Sequence, residues 1–255
     1  MKANGFVYRA RMAAMLRFWR EQAGSTGRLP AALLRDMRGQ ARTLGRELDR
    51  FLKASDLRLE AREAALTPRR TDGADAAWRP SLWRQRLAST AAADRGQQVL
   101  DEETALYHDC PLAEVWARQI ANPDPSGQAP FALVTETYAF SGSYLSVSVR
   151  LPAQLTAGTN ARHILVLDLA PRAEVSLTLL ARLNLAQGPD AVQLTQTVGA
   201  PDAQGITRTE FDLGHAGLGD RDIREMWIDI FFQSPAHNRI VLADLVVARR
   251  TRAEL

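Results

Sequence analysis

The sequence predicts an α+β protein: a basic N-terminal helical arm followed by an antiparallel β-sandwich of the jelly-roll kind. Three observations predict it. Of the 12 prolines in the 255-residue chain, only Pro30 precedes residue 68. Helical spacing fills the first quarter, whereas about ten short strand-like runs separated by turn residues fill the rest. Charge is partitioned as well. Residues 1–70 hold 16 Lys and Arg against 7 Asp and Glu, and the remaining 185 hold 16 against 22. A basic segment of that kind suits an anionic partner. Hydrophobic residues make up 46% of the chain, which excludes global disorder and allows a sizeable core.

The arm is expected over 1–67. Tyr8, Met12, Met15 and Trp19 share one face of a helix over 6–23. Gly24 to Gly27 ends that helix, and Pro30 suits the first turn of the next. Leu34, Met37, Ala41, Leu44, Leu48, Phe51 and Ser55 then follow a 3-4 spacing, a heptad seam. Gly39 and Gly45 weaken it by ~1 kcal/mol each relative to Ala. Arg35, Arg38, Arg42, Arg46, Arg50 and Lys53 lie off the seam. The helix should run to about Ala65, with Pro68 as its stop. Residues 68–96 read as an irregular linker packed on the sandwich through Trp78 and Trp83.

The sandwich is expected over 97–255. Strands are predicted at 97–107, 113–120, 130–140, 143–151, 163–169, 173–185, 190–198, 206–213, 224–232 and 239–249. Period two is clean where Leu145, Val147 and Val149 alternate with Ser146, Ser148 and Arg150. It is clean again where Met226, Ile228, Ile230 and Phe232 alternate with Trp227, Asp229 and Phe231. Ser234 to Asn238 then breaks the pattern, and an apolar run follows from Ile240 to Val247. This closing stretch reads as a β-hairpin whose apolar face needs a second layer.

Little in the chain points to catalysis. Cys110 is the single cysteine, so neither an intrachain disulfide nor a cysteine zinc site is available. Tyr107, His108, Asp109 and Cys110 put an imidazole, a carboxylate and a thiol side by side, but neighbours on a strand point to opposite faces. The run from Gly214 to Asp220 is glycine-rich without the following helix that a phosphate loop needs. Ser141 and Ser143 lack the Gly-x-Ser-x-Gly setting of a hydrolase. No catalytic residue, metal or cofactor is therefore expected. The ligand-binding expectation falls on Trp227, Asp229 and Phe231, which share the face opposite the core. Aromatic rings beside a carboxylate suit a sugar, and Arg182 and Asn184 would add donors from another strand. The competing reading is that the N-terminal helices or Trp83 cover this face, or that the strand is buried on both sides.

Two stretches carry a resemblance. Tyr138 to Val147 reads as two strands around a Ser-Gly turn, and Ile240 to Val247 is a closing strand with Asp244 ahead of its last apolar residues. Over about 97–255 the chain resembles the jelly-roll domains of the carbohydrate-binding-module and galactose-binding-like group. That resemblance implies a binding role without fixing an activity. Similar jelly rolls often carry a structural calcium, for which Asp220 and Asp222 with Asp190 or Asp202 would be the acidic turn residues, but such residues are common without a metal and none is expected here. The whole chain resembles an uncharacterised bacterial family of unknown function, through Leu16 to Arg20, Tyr107 to Cys110, Met226 to Asp229 and the arginine-rich end. That likeness supplies no activity.

The expected function is that of a non-enzymatic binding protein. Its sandwich would recognise a glycan or a protein, and its arm, residues 6–65, would meet a partner helix or an anionic surface. Nucleic acid is disfavoured because few aromatics interleave with the arginines. A saccharide-acting enzyme with Asp229 in a carboxylate pair is one alternative. A structural subunit of a larger assembly is the other. Arg9, Arg11, Arg17 and Arg20 interrupt any secretory apolar region, and no run of about 18 apolar residues could form a transmembrane segment. The expected location is the cytoplasm, including the periphery of a membrane.

Overall fold

The structure, a computed structural model, describes residues 2–63, 72–87, 96–112, 114–122, 129–187, 190–219 and 222–252. The chain divides into two compact units, Met1–Ser55 and Asp56–Leu255.

Helices α1 (Lys2–Ser25) and α2 (Ala31–Glu63) are joined by the 3₁₀ turn Thr26–Arg28. The Pro30 carbonyl accepts the Leu34 amide at 2.9 Å, which starts α2 where the proline suggests. The expected stop at Pro68 and the side chain of Tyr8 lie outside the described residues. Between residues 11 and 52 no described side chain is buried. Met12, Met15, Trp19, Met37 and Leu44 are half-buried, whereas Leu48 and Phe51 on the heptad seam are 44% and 65% exposed. No helix among the described residues is long and apolar enough to cross a membrane.

The second unit is a sandwich of two antiparallel sheets. Its strands are β1 (Ala74–Trp78), β2 (Gln97–Val99), β3 (Thr104–His108), β4 (Val115–Ala121), β5 (Phe131–Thr137) and β6 (Leu145–Arg150). They continue with β7 (His163–Ala173), β8 (Leu179–Gln187), β9 (Asp190–Thr197), β10 (Thr207–Asp212), β11 (Glu225–Phe232) and β12 (Asn238–Thr251). One sheet runs β10-β7-β12-β5-β4, with β1 along the last part of β12. The other runs β2-β3-β6-β11-β8-β9. Met226, Ile228, Ile230 and Phe232 of β11 face Leu167, Leu169 and Val247 across one continuous core. Each such side chain contributes roughly 1.5–3 kcal/mol on burial.

Several expectations are corrected. The closing stretch is not a hairpin: β11 pairs with β6 and β8, while β12 pairs with β5, β7 and β1 in the opposite sheet. Residues 233–237 carry the chain across the sandwich, with Ser234 and His237 both at φ 51 and the Thr137 hydroxyl bonded to the Pro235 carbonyl. Alternation dictates that a face be covered, and here each strand helps to cover the other from across the core. The run 97–107 is two strands. Asp101 Oδ1 accepts the amides of Glu103 and Thr104 at 2.9 and 2.6 Å and turns the chain between them. The strand expected from 173 begins only at Leu179, because Asn238 clamps Val175 through its amide and carbonyl at 3.0 and 2.7 Å during the crossing between sheets.

Residues 74–78, inside the stretch read as irregular, form β1, and Ser81–Arg84 form the short helix α3. Trp78 and Trp83 are 6% and 0% exposed. The Trp83 indole donates to the Leu242 carbonyl at 2.9 Å. That carbonyl borders a bulge in β12 between Leu242 and Leu245. Arg79 pairs with Asp244 there through two 2.8 Å contacts, and Asn122 donates to the Ala243 carbonyl at 3.1 Å. Backbone groups released by the bulge thus find side-chain partners.

Candidate functional site

Strand β11 lies inside its sheet, between β6 and β8, so its outward residues sit at the middle of a broad face. Trp227 lies opposite Arg150 and Asn184, Asp229 opposite Ser148 and Arg182, and Phe231 opposite Ser146 and Leu180. The structure therefore brings all five expected residues onto one face. Trp227, Asp229, Phe231 and Arg182 are half-buried. Trp83 lies elsewhere, against β12 of the other sheet.

The five differ in what they have left to offer. Asn184 is 1% exposed, and its amide donates to Asp229 Oδ2 at 2.8 Å. It holds the carboxylate in place instead of reaching outward. The Arg182 guanidinium stacks over Phe231, 4.7 Å from the ring centroid. Its Nε is buried and has no hydrogen-bond partner among the described residues.

A groove opens at each end of the face. The larger, of about 820 Å³, lies at the Phe231 end, between Arg182, Leu180, the 140–145 loop and the 233–236 link. Phe140, Tyr144 and Pro235 line it. Asp109 fixes the loop: it accepts the Ser143 hydroxyl at 2.6 Å and the amides of Ser143 and Tyr144 at 2.7 and 3.1 Å. The Ser143 hydroxyl, followed by these amides, holds the Asp109 carboxyl below its ordinary pKa. Gly142 is required at the same place. A Cβ there would meet Asp109 Oδ1 and come within 2.8 Å of the Cys110 nitrogen and of the Phe140 ring. The smaller groove, of about 380 Å³, lies at the Trp227 end, with Tyr107, Ser148, Arg150, Glu102, Glu103 and Glu225 in its walls.

The other clusters separate. His108 is buried, its Nδ1 accepts the Cys110 amide at 3.2 Å, and its Nε2 has no partner among the described residues. Desolvation keeps the imidazole below its ordinary pKa, against a smaller opposing effect of the Asp109 charge. Burial raises the Cys110 thiol, but hydrogen bonds from the backbone of Ser141, Glu114 and Leu112 outweigh it and leave the thiol lowered. His108, Asp109 and Cys110 thus serve three different surroundings. The glycines after residue 213 form a turn in which Asp212 accepts the Gly214 amide at 2.9 Å. Asp202 accepts the amides of Gln204 and Ile206 within its own turn. Asp220 and the side chain of Asp190 lie outside the described residues. Asp101 and Glu103 both contact the Ser81 hydroxyl, at 2.9 and 2.8 Å, which ties this carboxylate pair to α3.

Sequence reasoning assigned no role to Tyr107, Tyr144, Phe140 or Ser148. Ser148 could have been found, because it alternates with core valines. The aromatic residues of the groove come from loops and neighbouring strands that only the tertiary fold assembles. Trp116 was also passed over. It is 60% exposed on the edge strand β4, beside Glu136, which pairs with Arg118 and Arg239 at 3.2 and 3.3 Å.

Comparison with solved structures finds similar chains at low identity. The enzymatically active domain of bacteriophage CBA120 tailspike protein 4 is 9% identical, over 59% of this chain and 19% of that one, at a TM-score of 0.42. The CBM22-1-GH10 modules of a Clostridium thermocellum endo-1,4-β-D-xylanase, complexed with xylohexaose, are 5% identical over 56% of this chain and 26% of that one, at 0.35. The chain thus spans about a fifth and about a quarter of these two. The family 11 carbohydrate-binding module from Clostridium thermocellum, in complex with a mixed-linked tetrasaccharide, is 12% identical over 63% of this chain and 100% of that one, at 0.37. These likenesses are confined to the fold, which the strand pairing of the chain establishes by itself. No curated protein matches the chain. A match over residues 1–255 to the family described as "Family of unknown function (DUF6478)" covers both the helical arm and the sandwich, and the chain belongs to that family.

Proposed function

We propose that the outer face of β6, β11 and β8 binds a saccharide. The observation that carries this reading is the spacing of Trp227 and Phe231. The two rings stand four residues apart on one strand, about 13 Å at the usual rise. A polar row of Ser148, Asp229 and Arg182 lies between them, and a groove opens at each end. Rings offer stacking surface to the apolar faces of sugars, and the polar row offers partners to hydroxyls. Binding is favoured over turnover because glycoside hydrolysis needs two free carboxyl groups flanking one bond. Within the row Asp229 is the one carboxylate, with Ser148 and Arg182 on either side of it. Titration of the full chain with a panel of oligosaccharides tests this. Binding should be saturable, and Trp227→Ala combined with Phe231→Ala should abolish it. An unchanged affinity in that double variant would refute the reading.

The arm supports a second role, association through α2. Its apolar residues fall in a stripe about 100° wide, the width that normally faces a partner, and Leu48 and Phe51 in it are exposed. Arg35, Arg42 and Arg46 project from the opposite side of the helix. The 3-4 spacing of the stripe is that of a seam between paired helices, which favours a second copy of the helix. Phe51→Asp should leave the sandwich folded and convert a dimer to a monomer in analytical ultracentrifugation. A wild-type chain that is monomeric yet sediments with anionic vesicles would select the membrane instead.

A further inference from the structure

We infer that the saccharide is acidic, and that its carboxylate docks on Arg182 at the Phe231 end of the face. The inference rests on the saccharide reading and adds the class of sugar and its direction. Among the described residues lining the larger groove, Arg182 alone carries a charge. Among the described residues its buried Nε has no hydrogen-bond partner and no ion pair engages its guanidinium. Its guanidinium carbon lies over Phe231, 4.7 Å from the ring centroid, and a guanidinium held there can capture a carboxylate through two N–H donors. Its strand neighbours leave it available. Thr195 on β9 is uncharged, and Asp229 on β11 directs Oδ2 to Asn184. The opposite groove, by contrast, presents Glu102, Glu103 and Glu225 beside Arg150 and Trp227. An acidic sugar is repelled from that end and drawn to the other, so the two grooves give the face a direction.

The test uses pairs of probes that differ only in charge: oligogalacturonates and oligoglucuronates, each with its methyl ester, titrated calorimetrically against the full chain. The free acid should bind on the order of tenfold more tightly than its ester at low salt, and the difference should shrink as salt rises. Arg182→Gln should remove the preference of the acid over its ester, and Arg182→Lys should retain part of it. Equal affinities for acid and ester, or a preference that survives Arg182→Gln, would overturn the inference and leave the saccharide reading in place. Binding of neither the acids, the esters nor neutral oligosaccharides would overturn both. The acid-against-ester comparison needs only the unchanged protein, so it decides the matter even where a variant folds poorly.

Discussion

Trp83 and Trp227 belong to the same sandwich and have opposite consequences. Trp83 is fully buried and its indole satisfies the Leu242 carbonyl beside the β12 bulge. Trp83→Ala should therefore cost roughly 3–5 kcal/mol, with a further loss for the orphaned carbonyl. Trp227 is half-buried on the outer face, and Trp227→Ala should cost only about 1 kcal/mol. Chemical denaturation of the two variants checks the contrast. His108 supplies a pH signature. Desolvation holds its folded pKa below the ordinary value of 6.5, so in the window just below 6.5 the unfolded chain binds a proton that the folded chain does not. Stability from this group is full above that window and falls as pH drops through it. The denaturation midpoint should decrease from neutral pH toward mildly acidic pH, and His108→Leu should flatten that slope. An unaltered slope would remove His108 as its source.

At the level of elements, strand positions were legible and strand partners were not. Met226, Ile228, Ile230 and Phe232 announce β11 through period two, and they are buried as that period requires. The same alternation predicts nothing about which strand lies alongside, so two neighbouring runs looked like a hairpin although they occupy opposite sheets. Turn chemistry hid a second boundary: Asp101 divides one apparent strand into β2 and β3. The outer face of β11 was legible for a similar reason, since the residues alternating with a core set must face outward. Its larger groove was not, because the 140–145 loop and the 233–236 link that build it are distant in sequence. Gly142 shows how tightly that loop is set. Gly142→Ala pushes a methyl group against Asp109 and the Cys110 backbone, and it should destabilise the protein by about 1–3 kcal/mol. It should also weaken ligand binding more than Gly199→Ala, a position where an added Cβ meets nothing within 4 Å. Equal effects of the two substitutions on affinity would separate the loop from the site.

The whole molecule joins a helical unit without a buried side chain among residues 11–52 described there to a sandwich with a large core between its sheets and a small apolar cluster of Ile164, Val166 and Ala248 under β1. The prolines and the charge partition put the end of the arm at residue 67, whereas the compact units divide after Ser55. Trp78 and Trp83 pack on the sandwich as their sequence suggested, but residues 74–78 and 81–84 have too few apolar residues to show the period of a strand or helix. The central claim is that the outer face of β11 recognises saccharides, and a glycan microarray probed with the full chain tests it most directly. Three proteins suffice: wild type, the Trp227→Ala/Phe231→Ala double variant, and Trp116→Ala, which removes an equally large ring from the edge of the other sheet. Wild type and Trp116→Ala should bind the same glycans, acidic ones foremost, and the double variant should bind none while remaining folded. Loss of binding in Trp116→Ala with retention in the double variant would place recognition on the other sheet and contradict the account, as would a wild-type protein that binds no glycan at all.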